Sequence, residues 1–131
     1  MIWAGAGIEA GARKTVVSHL DVLPTILTWC KVPQKNSLAG RDLGAILQRH
    51  DALDASGEAL VVVGADADKA PRRQFWALRR ENWRYLQCPD GSEALYDIEN
   101  DPHETRNLSR EANFSAIARS LRVRLNDHWT T

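Results

Sequence analysis

From Leu60 onward the chain shows four short β-branched or aromatic runs separated by turn signals, then switches to a single helical spacing. That order leaves few folds open. The runs are Leu60-Val61-Val62-Val63, residues 74–80, residues 83–87 and residues 93–98. Glu81-Asn82 fits a hairpin turn between the second and third, and Pro89-Asp90-Gly91 is a turn signal before the fourth. Phe114, Ile117, Leu121 and Leu125 then recur at spacings of three and four, which marks one face of a helix. Each of these elements has one apolar side that needs a cover. The expected class is therefore α+β, a small antiparallel sheet packed by a long C-terminal helix.

The first fifty residues complete no sheet of their own. Ile2 and Trp3, running into Gly5, Gly7 and Gly11, read as the end of a strand entering a glycine-permitted loop, and Val16-Val17 is a second β-branched run. Ser18 and Asp21 are possible N-caps for a helix with its apolar face at Leu23, Ile26, Leu27 and Cys30, where Pro24 is tolerable in the first turn. A second short amphipathic turn, Leu43, Ile46 and Leu47, follows Gly40-Arg41-Asp42. Residues 51–58 are small and polar and form the expected boundary. The organisation read from the sequence is 1–50, a strand-helix remnant of a larger α/β body, and 51–131, the sheet with its helix.

The 131 residues carry 17 basic and 17 acidic side chains, so the chain lacks the broad positive field that nucleic acid or anionic membranes select for. Neither is an expected partner. The basic stretch from Lys69 to Arg84 is followed by an acidic one from Asp90 to Glu104, an arrangement that suits cross-strand pairing. Cys30 and Cys88 make neither a disulfide framework nor a metal-ligand set. No apolar run approaches 18 residues and no leader pattern opens the chain, so a soluble protein is expected, in an undetermined compartment.

Two segments carry a family resemblance. Val17-Ser18-His19-Leu20-Asp21-Val22-Leu23-Pro24-Thr25-Ile26-Leu27 resembles the sulfatase segment that opens a helix of the large domain after the metal site. Leu95-Tyr96-Asp97-Ile98-Glu99-Asn100-Asp101-Pro102-His103-Glu104-Thr105-Arg106-Asn107-Leu108 resembles the C-terminal signature of the same family. Gly40-Arg41-Asp42-Leu43 and the hairpin Leu78-Arg79-Arg80-Glu81-Asn82-Trp83-Arg84-Tyr85-Leu86 lie between them in the expected order. Asp101, Pro102 and Glu104 also read, without the family, as an N-cap, a first helical position and a capping box.

The resemblance implies hydrolysis of sulfate esters by a formylglycine made from a Cys/Ser-x-Pro-x-Arg motif, beside Ca²⁺ or Mg²⁺ held by Asp and Asn. This sequence supplies neither. Cys30 is followed by Lys31-Val32-Pro33 and Cys88 by Pro89-Asp90, so both prolines are misplaced, and no serine provides the motif. Asp66 and Asp68 sit in a polar loop without the six or more oxygens that Ca²⁺ takes. The expected role is thus the C-terminal part of a sulfatase, inactive alone, whose partners are the missing N-terminal catalytic domain and a small-molecule sulfate ester. The two alternatives are a phosphonate or phosphodiester hydrolase fragment of the same superfamily and a non-catalytic binding or structural domain. No catalytic or metal-ligating residue is assigned. The candidate substrate contacts are Arg72 and Arg73 for anionic groups, Trp76 for stacking on a ring, and His19, an imidazole beside the possible caps.

Overall fold

The computed structural model describes residues 2–5, 7–33, 37–48, 57–63 and 75–128. It divides into two units, Met1–Gly57 and Glu58–Thr131. The expected boundary at 51–58 lies mostly outside the described residues.

In the second unit the four apolar runs become strands β1 (Glu58–Val63), β2 (Phe75–Arg80), β3 (Trp83–Gln87) and β4 (Glu93–Asp97). They pair antiparallel in chain order, with Leu60, Leu78, Tyr85 and Leu95 aligned in one cross-strand row. Strand side chains alternate between faces, so this row together with Trp76 and Trp83 presents one apolar surface. Helix α3 (Ser115–Asp127) covers it, entered through a 3-10 turn at Ala112–Phe114. Leu78, Tyr85, Leu95, Leu108, Ala118, Leu121 and Leu125 form the buried cluster, and Phe114 and Ile117 pack at its margin. The helix face expected from the spacing is the one that meets the core. The small antiparallel sheet under a helix is as expected.

β4 ends one residue earlier than the pattern suggests. The N–H of Ile98 leaves the ladder and donates to the Asn82 carbonyl at 2.8 Å. The signature that follows is a pair of turns where a helix start was expected. Asp101 does accept as a cap would, but from the Arg106 N–H at 2.9 Å and the Thr105 hydroxyl at 3.1 Å. Glu104 adopts the left-handed φ of +56° and binds Arg84 on β3, so its carboxylate does not return to the Asp101 N–H, which donates to the Asp97 carbonyl. A long-range ion pair displaces the local capping box. The chain then comes back to β4: Asn107 Oδ1 accepts from Leu95 N–H at 3.0 Å, and Leu108 N–H donates to the Leu95 carbonyl at 2.8 Å, which buries Leu108.

The first unit contains helices α1 (Val22–Trp29) and α2 (Gly44–Gln48). Among its described residues no strand forms, so the strand expected at Ile2-Trp3 is corrected, as is that at Val16-Val17. A strand is defined by its pairing, and these segments spend their groups otherwise: Val16 C=O accepts from Arg41 Nη2 at 3.1 Å, and Val17 and Trp3 pack on the cluster Leu43, Ile46 and Leu47. α1 is also turned from its expected orientation. Pro24 and Thr25 are buried, whereas Leu23 and Ile26 are 53% and 44% exposed. The helix stops at Lys31, φ +56°, where Lys31 N–H bonds the Thr28 carbonyl and Val32 N–H that of Leu27, a Schellman arrangement.

Candidate functional site

The first unit is organised by a buried carboxylate. Ser18 caps the 3-10 turn His19–Asp21 by accepting from Leu20 N–H, and Asp21 Oδ2 accepts from Ser18 N–H at 2.8 Å, which completes a capping box. Asp21 is only 3% exposed, and its second oxygen accepts from Arg41 N–H at 2.8 Å while the Arg41 guanidinium stands 3.6 Å away. A buried charge needs partners of this kind. Thr25 adds a second tie: its hydroxyl donates to the Asp21 carbonyl at 2.5 Å and accepts from Leu43 N–H at 3.0 Å. Gly40 permits the close approach, because a Cβ there would stand 1.9 Å from the Leu20 carbonyl oxygen. The two motifs at 17–27 and 40–43 are thus one hydrogen-bonded assembly. It holds His19 on the outside of the capped turn, exposed to solvent.

In the second unit ion pairs join elements: Arg84 binds Glu104, Arg122 Nη2 reaches Glu93 at 2.6 Å, and Arg124 reaches Glu58 at 2.9 Å. Among the described residues Arg84 with Glu104 links the basic stretch to the acidic one, from a strand to a turn, whereas the arginines of the other two pairs stand on α3. Arg79, opposite Arg84 in the β2–β3 ladder, has its Nη1 enclosed without a hydrogen-bond acceptor among the described residues. Burial and then the neighbouring Arg84 pull its pKa down, against the pull of Glu104 and Asp97. Burial likewise pushes the Tyr85 phenol up, although Arg122 Nε donates to its oxygen at 3.3 Å.

Of the four sequence candidates, His19 lies in the first unit and Trp76 in the second. Trp76 stands on β2 opposite Val62 and Gln87 and packs partly buried against the sheet-helix core. Arg72 and Arg73, like Asp66 and Asp68, lie outside the described residues. Among the described residues no three His, Cys, Asp or Glu side chains converge as a metal would require. The described side chains do not fit a divalent-cation site, and no catalytic step through a cation or a formylglycine is assigned to them. Sequence reasoning singled out Ser18 and Asp21 as caps, but not the assembly they build with Thr25 and Arg41. The Ser-x-x-Asp spacing was the available signal.

A four-stranded antiparallel sheet under a C-terminal helix, preceded by these two motifs, has the fold of the C-terminal portion of a sulfatase. A 2-O GAG sulfatase matches it with a TM-score of 0.82 at 23% identity over 98% of this chain and 29% of that one. A phosphonate monoester hydrolase of Agrobacterium radiobacter matches at 0.62 and 19% identity, over 82% of this chain and 23% of that one, a likeness of fold alone. The chain belongs to the family described as N-sulphoglucosamine sulphohydrolase, C-terminal, whose model matches residues 1–130. It is also 30% identical to the choline-sulfatase of Rhizobium meliloti (strain 1021) over 106 residues, 81% of this chain and 20% of that protein. The chain therefore spans about a fifth of the length of that relative.

Proposed function

We propose that this chain is the C-terminal part of an enzyme that hydrolyses small-molecule sulfate esters, and that it supports the catalytic body and forms part of the substrate cleft without supplying the nucleophile. The observation that carries the reading is a family match over residues 1–130 in a sequence without Cys/Ser-x-Pro-x-Arg. Formylglycine and a Ca²⁺ or Mg²⁺ ion belong, on this reading, to the remainder of the enzyme, where the cation stabilises charge on the transferring group.

The remainder is also the proposed partner of α1. Leu23 and Ile26 on α1, with Leu20 before it and Val32 after it, are exposed large apolar side chains, and gathered exposed apolar residues mark surfaces that another body covers. Arg72, Arg73 and Trp76 are assigned to the cleft wall for their side-chain chemistry: two guanidiniums for anionic substituents and an indole beside them in sequence for a ring. His19 is proposed as a further substrate contact on its exposure at the capped turn of the first unit.

The reading is tested on the coding DNA upstream of the Met1 codon. An in-frame extension with Cys/Ser-x-Pro-x-Arg and an Asp/Asn ligand set is expected, and sulfate release by the longer product should be abolished by chelator. A threonine nucleophile without the motif would transfer the chain to phosphonate or phosphodiester hydrolysis, and a stop codon with no such motif would leave a non-catalytic domain.

A further inference from the structure

The two edges of the four-stranded sheet end differently. Along β4 the outward groups are taken within the chain: Leu95 N–H donates to Asn107 Oδ1, the Leu95 carbonyl accepts from Leu108 N–H, and the Glu93 carbonyl accepts from Asn107 Nδ2 at 3.1 Å and from the Ser109 hydroxyl at 3.0 Å. At the other edge, β1 pairs among the described residues with β2 alone. An antiparallel strand turns the N–H and C=O of every other residue away from its neighbour, so β1 presents a row of donors and acceptors that no described strand meets.

The side chains of β1 leave that edge fit to pair. Edge strands that stay in water ordinarily carry lysine, proline or a bulge against pairing. Residues 59–63 read Ala-Leu-Val-Val-Val, and the register to β2 runs from Glu58 to Val63 without a bulge. Val61 is 46% and Val62 50% exposed, and neighbouring strand residues point to opposite faces, so β1 shows apolar surface on both faces of the sheet. Its one charge, Glu58, is already held by Arg124 and His128.

We propose that β1 pairs with β1 of a second copy of this chain, antiparallel about a two-fold axis at Val61, joining the two four-stranded sheets into one. Such an axis stands perpendicular to the sheet and preserves its faces, so it passes between residues of the same number. At Val61 it sets Val61 against the partner's Val61 on one face and Val62 against the partner's Leu60 on the other. Both exposed valines thereby gain an apolar cross-strand neighbour. Glu58 stays three residues from the axis, about 10 Å, with its ion pairs at the margin, and the two Glu58 carboxylates lie at opposite ends of the ladder. An axis at Leu60 would instead bring those ion pairs under the partner's Val62, where their desolvation opposes pairing. The strand is its own complement, which selects a second copy as the occupant. The proposal goes beyond the sulfate-ester reading and does not rest on it.

The test is sedimentation velocity of the whole 131-residue chain carrying L23K and I26K, which removes association through α1. One pair of short strands makes a small interface, so a reversible dimer with Kd on the order of 0.1 mM is expected, mostly monomeric at about 10 µM and mostly dimeric at about 1 mM. V61K sets two ammonium groups at the axis and should raise Kd about tenfold or more; V61E should do the same, and a one-to-one mixture of the two variants should dimerise again. V123K, at an exposed valine of α3, should leave the dimer unchanged. In the unmutated chain, exchange of the outward β1 amides should slow as concentration rises over the same range, a readout that needs no folded variant. A monomer at 1 mM, a folded V61K that still dimerises, a mixture that stays monomeric, or β1 exchange indifferent to concentration would overturn the proposal.

Discussion

Arg124 holds Glu58 with both arms of its guanidinium, Nε at 3.0 Å from one carboxylate oxygen and Nη2 at 2.9 Å from the other, across 66 residues of chain. The bond ties the last turn of α3 to the first residue of β1, and Arg122 does the same for β4 through Glu93. The helix is thereby fixed over both edge strands of the sheet. These pairs are partly exposed and contribute direction more than stability.

The core beneath them should dominate the energetics. Leu121→Ala removes a buried side chain and is expected to cost about 2–5 kcal/mol, whereas Arg122→Ala gives up an exposed ion pair and a long hydrogen bond to Tyr85, about 1 kcal/mol or less. Thermal melts by circular dichroism check the order. Equal effects would place the wrong face of α3 on the sheet.

Acid should weaken the second unit. Burial alone would raise the Glu58 carboxyl, but the Arg124 hydrogen bond and charge, with His128 at 3.0 Å, outweigh it and hold it below the ordinary carboxylate range. Asp97 is held low first by the Asn100 amide, and Asp101 first by the Arg106 N–H. A depressed folded pKa gives stability that is present above the unfolded value, about 4 for these groups, and lost as pH falls through the lower folded value. Melting temperature should therefore fall below about pH 4, and less steeply in Glu58→Gln, which starts from a lower value at neutrality. A parallel pH profile for the variant would count against Glu58 as a contributor.

Asp21 should be the residue the first unit tolerates losing least among its polar groups. Asp21→Ala leaves the N–H groups of Ser18 and Arg41 without acceptors and is expected to cost about 3 kcal/mol. Gly40→Ala should be comparably damaging because no Cβ fits beside the Leu20 carbonyl. Hydrogen exchange of the α1 amides is the readout. Unchanged protection in either variant would dissolve the proposed assembly.

The exposed Leu23 and Ile26 on α1 yield the opposite expectation. Leu23→Lys and Ile26→Lys should change stability by no more than about 0.5 kcal/mol, as surface substitutions do, while reducing dye binding and self-association of the isolated chain. A large loss of stability would mean that these side chains are core.

The chain as given is expected to show no sulfatase turnover toward aryl or sugar sulfates, since it has no Cys/Ser-x-Pro-x-Arg motif. Activity that survives repurification and disappears with chelator would refute this.

Runs, turn signals and one helical spacing by themselves determined the second unit. Apolar runs between turn signals located its strands, and a helix on a sheet must repeat at three and four, so Phe114, Ile117, Leu121 and Leu125 announced the face that meets the core. The family signature was legible in the same way, as a run of letters, and so was the absence of a nucleophile. The candidate site was far less so: His19 and Trp76 were named for their chemistry, and nothing local to either residue tells what stands opposite it.

Only the tertiary structure decided which side of α1 faces inward and what Glu104 does. Both were misread for one physical reason. Local pattern ranks side chains by apolarity, but Thr25 is drawn inside by Asp21 and by Leu43, 18 residues away, and Glu104 is drawn from its cap by Arg84, 20 residues away. A buried donor or acceptor left unpaired costs as much as an exposed leucine forgoes, so long-range polar partners can overrule the hydrophobic stripe, and they become neighbours only once the chain has folded.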